Sequence, residues 1–220
     1  MKQIAVAWDE RMPRLQIVVG FLVLLLPLLG CNARSDRERT EARQALKRLS
    51  IPYNREAFVE HLRSSDPLIV DLFMAAGMDP DVRDTNGVTP LMRFAMEGNV
   101  DAVQRLIAKG AEVNAKDNTG DTALMGGAGY GRTAIVQLLV EKRADVNAQA
   151  NDGGTALIQA TLNSYPAIVK LLIDHGANVN AKTKSGRTAL SYAEEKNVGF
   201  LSGEGRPEVV TLLKQAGARE

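Results

Sequence analysis

A glycine-rich stretch is the first part of the sequence whose residue types could do chemistry. Residues 126–133 read GGAGYGRT, which approximates the glycine-rich loop that holds phosphate groups. Arg132 stands in place of the lysine that reaches the phosphates, and such a loop must follow a β-strand. The repeat described below places these residues on a helix instead. We therefore expect no nucleotide binding here.

Other reactive side chains are few or scattered. The chain has one cysteine, Cys31, and two histidines, His61 and His175, which lie far apart in the sequence. A single cysteine allows no internal disulfide and no zinc site built from several thiolates. Aspartate and glutamate are frequent, but no pair stands out as an acid and a base. We expect no catalytic residues, no metal, no cofactor and no small-molecule substrate.

Composition and charge narrow the class of protein further. The chain has 220 residues, of which 45% are hydrophobic and 24% are charged, and this excludes a disordered chain and a polytopic membrane protein. The formal net charge is +1. Residues 1–30 hold three basic and two acidic residues, so the rest of the chain is neutral. We therefore expect no nucleic-acid partner, because binding to a polyanion depends on basic residues.

The first thirty residues are typical of an export signal. An apolar run, IVVGFLVLLLPLLG, covers residues 17–30 and follows a short basic segment. A membrane-spanning helix needs about 20 apolar residues, so this shorter run fits the apolar part of a signal peptide. Translation from Met12 in place of Met1 would give a purely basic leader, and the sequence leaves both starts open.

The end of this run reads LLGC at residues 28–31, which resembles the lipobox of bacterial lipoproteins. The resemblance implies cleavage before Cys31 and acyl chains on its sulfur. Two or three acyl chains hold a soluble domain stably on a bilayer. We predict an exported, membrane-anchored lipoprotein that faces the periplasm or the cell surface. In a bacterium with two membranes, the resemblance implies that Asn32, which is not the aspartate of the inner-membrane retention signal, favours the outer membrane, and the sequence leaves the choice of membrane open. A soluble periplasmic or secreted protein and an uncleaved anchor are the alternatives.

The elements that would position a binding site come from a repeat of 33 residues. DTNGVTPL at 84–91 recurs as DNTGDTAL at 117–124, ANDGGTAL at 150–157 and TKSGRTAL at 183–190. In the same register, GAEVNA at 110–115 recurs as RADVNA at 143–148 and GANVNA at 176–181. A fixed period of this length indicates supersecondary units that bury their apolar faces by stacking.

These segments resemble the ankyrin repeat, with its Gly-x-Thr-Pro-Leu start and Gly-Ala-x-Val-Asn-Ala end. The resemblance implies an all-α repeat solenoid of helix-turn-helix units with β-hairpin loops. The predicted domains are a signal peptide (1–30), a lipidated tether with a short amphipathic helix (31–50) and an ankyrin domain (51–220). The last divides into a degenerate N-terminal cap repeat (51–83), three repeats (84–116, 117–149 and 150–182) and a final repeat (183–220) with an insertion near 197–208.

Two kinds of residue are predicted to begin and end the helices. A threonine precedes the first helix of each pair and is suited to N-cap it. These residues are Thr89, Thr122, Thr155 and Thr188. Glycine recurs just after the second helix, where a left-handed residue ends it, but Arg143 takes that place in one repeat. We therefore predict a left-handed, strained backbone at Arg143.

The resemblance also implies where a partner would bind. Ankyrin domains usually bind through loop tips and exposed first-helix positions, which form a concave surface. The candidates occupy those positions, and tyrosine and arginine among them are common interface anchors. They are Asn86, Val88, Arg93, Met96, Asp121, Tyr130, Gln159, Leu162, Arg187 and Tyr192.

We expect a non-catalytic protein–protein interaction module, exported and lipid-anchored, that binds a protein partner through its concave face. An immunity or inhibitor protein that occludes an enzyme or a toxin would use the same surface and is the alternative. An enzyme is the weakest interpretation, because the sequence offers no catalytic constellation.

Overall fold

The structure is a computed structural model that describes residues 31–63, 67–195 and 206–219, and these residues form helices and turns. The helices are α1 (Cys31–Arg48), α2 (Arg55–Arg63), α3 (Pro67–Ala75), α4 (Pro90–Glu97), α5 (Val100–Ala108), α6 (Ala123–Gly129), α7 (Thr133–Glu141), α8 (Ala156–Leu162), α9 (Pro166–Asp174), α10 (Ala189–Glu194) and α11 (Arg206–Gln215). The chain divides into two compact units, Met1–Met78 and Asp79–Glu220. The predicted signal peptide and most of the predicted insertion lie outside the described residues.

In the first unit, α1 packs against α3. Ala42, Ala45 and Leu46 lie on one face of α1 and are at most 1% exposed, as their helical spacing predicts. The helix begins at Cys31, so the first part of the predicted tether is helical too. Arg37 and Glu41 form an i,i+4 ion pair at 2.9 Å in that part, and arginine, glutamate and alanine are good helix formers.

The degenerate repeat forms α2 and α3 in this first unit. Phe58 is fully buried, and its ring centroid lies 5.0 Å from that of Phe73. Val70 is also buried, and Gly77 follows α3 with a φ of +95°. Phe58 and Val70 are therefore core residues and Gly77 follows the end of the second helix, as their equivalents do in the later repeats.

The second unit is a series of four helix pairs. The first helices α4, α6, α8 and α10 contact one another in chain order, as do the second helices α5, α7, α9 and α11. One leucine position of the repeat is at most 2% exposed in every pair, namely at Leu91, Leu124, Leu157 and Leu190. Equivalent residues thus form one continuous core, and the all-α repeat solenoid is confirmed.

The predicted threonine caps the first helix of every pair. The side-chain oxygens of these threonines accept a hydrogen bond from the backbone N–H three residues on, at 3.2–3.3 Å, and all four residues are buried. Each bond satisfies one donor that the first turn of a helix leaves without a partner.

Turns form the loop tips between the helix pairs. The backbone N–H of Asp84 donates to the carbonyl of Val88 at 3.1 Å and closes the first tip. Neighbouring tips are joined by a backbone bond from Asn118 to Asn86 at 3.0 Å and by one from Asn151 to Thr119 at 2.8 Å. A β-ladder needs bonds that continue along both segments. The tips in the described ranges are therefore turns, where the family resemblance implies β-hairpins.

The end of α7 has the left-handed backbone that the repeat predicts at Arg143. Arg143 has a φ of +65°, whereas the equivalent glycines Gly110 and Gly176 have φ values of +91° and +84°. The arginine is exposed, so the second helix ends in a left-handed residue here as elsewhere. A residue with a Cβ is strained in this left-handed conformation and lowers the stability of the fold relative to glycine.

Candidate functional site

A groove opens on the second unit between the loop tips and first helices of three consecutive repeats. Its volume is about 560 Å³, within the range of pockets that hold ligands. Methionine, glycine, aromatic, amide and acidic residues line it. They are Val88, Met92, Met96, Asp117, Asp121, Thr122, Met125, Gly126, Gly129, Tyr130, Gln159, Asn163 and Tyr165.

Two glycines of α6, Gly126 and Gly129, lie in the lining of the groove. The other repeats carry larger side chains at the same positions: Arg93, Gln159 and Tyr192 for the first, and Met96, Leu162 and Glu195 for the second. A Cβ at Gly129 would lie 3.7 Å from Gln159, which is an ordinary contact, and a Cβ at Gly126 would lie 2.8 Å from the side chain of Met96. The Met96 side chain therefore takes the place of a side chain at Gly126, whereas the space beside Gly129 stays open.

The floor of the groove is apolar and one wall is aromatic. Met92 and Met125 are 4% and 3% exposed, and Met96 is half-buried. Methionine adapts its shape to different partners because its side chain is flexible and polarisable. Tyr130 is 59% exposed and is the only large hydrophobic side chain so exposed in the part of the chain that the structure describes. A tyrosine beside such a floor is typical of an interface anchor.

The loop-tip end of the groove is acidic. Asp117 holds the turn, because its Oδ1 accepts from the backbone N–H groups of Thr119 and Asp121 at 2.8 and 2.9 Å. Oδ2 of Asp121 lies 3.0 Å from the Thr119 hydroxyl, while its Oδ1 is buried and has no hydrogen-bond partner. The same hydroxyl lies 2.7 Å from Asp117, and its single proton serves one carboxylate at a time. Asp121 as a whole is half-buried, so its carboxylate has spare acceptor capacity at a partly exposed position.

The electrostatics of the groove favour a cation. Burial raises the pKa of Asp121 above its ordinary value; the Thr119 hydrogen bond lowers this pKa, and the negative charges of Asp117 and Asp152 raise it. The ionisable lining residues, among those described, are two aspartates and two tyrosines. Ionised carboxylates without a nearby cation in the lining give the groove a negative potential.

Five of the ten predicted binding residues line the groove. These are Val88, Met96, Asp121, Tyr130 and Gln159. The other five are not part of the lining: Asn86, Arg93, Leu162, Arg187 and Tyr192. The structure thus brings together the candidates from three neighbouring repeats and leaves the rest beside them.

Both predicted arginine anchors interact with side chains of their own repeats. Arg93 donates to Asp84 at 3.3 Å. The guanidinium of Arg187 lies 3.8 Å from the ring centre of Tyr192 and pairs with Glu195. A partner would have to compete with these contacts, so we place both arginines outside the candidate site.

Sequence reasoning missed three large side chains of the lining, Met92, Met125 and Tyr165. Met92 and Met125 follow the leucine that recurs in the first helix of each repeat, so their positions resemble core positions in the sequence. Both side chains are buried beneath the groove. Tyr165 precedes α9 and reads as part of a turn. A comparison of equivalent positions could have found the site through Gly126 and Gly129, which are small where the other repeats are large.

The predicted lipidation site lies at the edge of the described residues. Cys31 is the first residue of α1, and the residues before it are outside the description. Within the described ranges, no helix is long and apolar enough to cross a membrane. The same ranges contain no cluster of three or more histidine, cysteine, aspartate or glutamate residues that could hold a metal ion.

Serial capped helix pairs with a groove along their loop tips define a helical repeat protein. The family model for ankyrin repeats (3 copies) matches residues 58–150 and 145–219. The chain belongs to the ankyrin-repeat family. Ankyrin repeats indicate a protein–protein interaction module and are typically not catalytic. No curated protein was found to match the chain.

Proposed function

We propose that this chain binds a protein partner through the groove and the loop tips beside it. The observation that carries the proposal is Gly129, which leaves open space in the groove where the other repeats carry larger side chains. Tyr130 offers a largely exposed ring at the same place. Protein interfaces concentrate their binding free energy in a few such residues that enter or flank a pocket.

We further propose that the chain is exported and held on a membrane by acyl chains on Cys31. The support is the sequence pattern: an apolar run at 17–30 that is short for a spanning helix, and LLGC at 28–31. Acyl chains would hold the ankyrin repeats at a membrane surface and leave the groove open to partners there.

Capture from a membrane extract with the full chain tests the groove. Gly129→Met introduces the side chain that Met96 provides in the preceding repeat, and the added Cβ makes an ordinary contact. Ala167→Met is the matched control, because Ala167 is exposed on α9 and is not part of the lining. We expect quantitative mass spectrometry to show a partner that the wild type and the control retain and Gly129→Met loses. Equal capture by the two variants would contradict the proposal.

Truncation of the exposed tyrosine tests the same surface independently. Tyr130→Ala is expected to weaken binding of the captured partner by about tenfold, as for an interface anchor. Arg187→Ala serves as the comparison, since Arg187 contacts Tyr192 and Glu195 and lies outside the groove. A larger loss in Arg187→Ala than in Tyr130→Ala would move the binding site to the last repeat.

The membrane anchor is tested with Cys31→Ser in the full-length chain. We expect the wild type to incorporate a labelled fatty acid and to sediment with membranes, and the variant to do neither. A variant that still sediments with membranes would favour an uncleaved anchor.

A further inference from the structure

Two repeats of the second unit use an arginine of the chain itself to neutralise a carboxylate beside the first helix. In repeat 84–116, Arg93 donates to Asp84, whose side chain is 5% exposed, at 3.3 Å. In the last repeat, Arg187 lies over the ring of Tyr192 and pairs with Glu195. In both repeats the guanidinium lies between a loop tip and a first helix.

Repeat 117–149 keeps the acidic groups and omits the arginine. Asp117 takes the position of Asp84, and Gly126 takes the position of Arg93. Asp121 adds a second carboxylate, whose Oδ1 is buried without a partner. Asp152, on the next loop tip, adds a third negative charge close enough to act on Asp121. No arginine therefore lies beside these carboxylates at the place where Arg93 serves the preceding repeat, whereas the following repeat has Gln159 at that position.

We propose that the groove accepts an arginine side chain of the partner protein, with the guanidinium against Asp121. This inference rests on the proposed function, in which the groove binds a protein. A guanidinium is planar and carries several N–H donors, so it can donate to the half-buried carboxylate of Asp121 and to a second acceptor at once. The open space beside Gly129 lies in the same groove as Asp121 and gives the arginine room to enter.

The remaining walls suit the rest of an arginine side chain. Its aliphatic stem packs on apolar surface while its charged end stays at a polar group, and Met92 and Met125 provide that surface beneath the groove. Tyr130 offers an exposed ring at the rim, and arginine stacks on such rings as Arg187 does on Tyr192. These contacts favour arginine over lysine, whose ammonium is compact and strongly hydrated.

Peptide selection on the full chain tests this inference without a known partner. A random peptide library displayed on phage is selected on the immobilised wild type, and the selected peptides are synthesised. Their affinities are measured by fluorescence anisotropy for the wild type, Asp121→Asn and Gly129→Met. Asp101→Asn and Ala167→Met are the matched controls, because Asp101 and Ala167 are exposed on second helices outside the groove.

We expect the groove-dependent peptides to share an arginine. Asp121→Asn should weaken their binding by about tenfold, as for loss of one charge-assisted hydrogen bond. Replacing the arginine by citrulline, its neutral analogue, should cause a similar loss, and the two losses should not add. Replacing it by lysine should restore only part of the affinity, and the two control variants should bind like the wild type.

The outcomes separate this inference from the proposed function. Peptides that Gly129→Met excludes but that lack a basic residue, or losses from citrulline and Asp121→Asn that add fully, would overturn the arginine site and leave the groove as a binding site. A shared arginine that lysine replaces without loss would also contradict the preference stated above. A selection in which every peptide binds Gly129→Met like the wild type would overturn both the arginine site and the groove as a binding site.

The pH dependence of binding gives a second readout. The groups that act on Asp121 are the Thr119 hydroxyl and the carboxylates of Asp117 and Asp152. Because the pKa of Asp121 is raised, its charge is lost at a higher pH than that of an ordinary aspartate. Wild-type affinity for an arginine peptide should therefore fall as the solution becomes mildly acidic, and the affinity of Asp121→Asn should change less over the same range. Parallel curves for the two proteins would contradict the role of Asp121.

Discussion

The left-handed arginine that ends α7 allows a quantitative test of the repeat register. Arg143 has a φ of +65° at a position where Gly110 and Gly176 have positive φ without strain. A left-handed conformation costs a non-glycine residue about 1–2 kcal/mol. Glycine is more flexible in the unfolded chain, which offsets about 0.4–1 kcal/mol of the gain. Arg143→Gly should therefore raise the free energy of unfolding by about 1 kcal/mol and the Tm by about 2–4 °C.

Circular dichroism and urea unfolding of the full chain measure this effect. Lys142→Gly is the matched control, because Lys142 is the preceding exposed residue and has a φ of −88°. That variant should lose about 0.5–1 kcal/mol, since glycine adds freedom to the unfolded chain and relieves no strain. Arg143→Asn should fall between wild type and Arg143→Gly, because asparagine tolerates the left-handed region better than arginine. An Arg143→Gly protein that is no more stable than the wild type would refute the reasoning.

Three further predictions concern the second unit. Asp121→Asn should raise the Tm at neutral pH, because the raised pKa of the Asp121 carboxyl means that its ionisation opposes folding. Urea unfolding should show the full gain in the free energy of unfolding above the folded-state pKa. This gain should disappear as the pH falls below the ordinary carboxyl pKa. Thr155→Ala should lower the free energy of unfolding by about 1 kcal/mol, because it removes the N-cap of α8, and Thr155→Ser should retain most of it. Gly129→Ala should raise the Tm, because alanine stabilises a helix by about 1 kcal/mol relative to glycine and its Cβ fits, whereas Gly110→Ala, at a φ of +91°, should lower it.

The sequence predicts the features that depend on one residue at one place in the repeat. Thr122 caps α6 and Arg143 takes a left-handed conformation because local backbone geometry decides both roles. The candidate site depends on how neighbouring repeats share space, and position alone could not predict it. Arg187 occupies a binding position of the family, yet it contacts Tyr192 of its own repeat. Such side-chain pairings depend on rotamers and charges that a repeat pattern does not record.

The glycines of α6 differ in whether packing explains them, and this difference supports the proposed binding groove. Gly127 has a packing reason, since its Cβ would lie 3.1 Å from the side chain of Ile135, and Gly126 has one in Met96 at 2.8 Å. Gly129 has none, because its Cβ would make only an ordinary contact, so the helix loses stability there without any gain in packing. Asp121, whose raised pKa also opposes folding, lines the same groove. The glycine at position 129 and the ionised Asp121 thus both lower the stability of the free protein, and both lie in the groove. Such a loss of stability is expected at residues that serve binding.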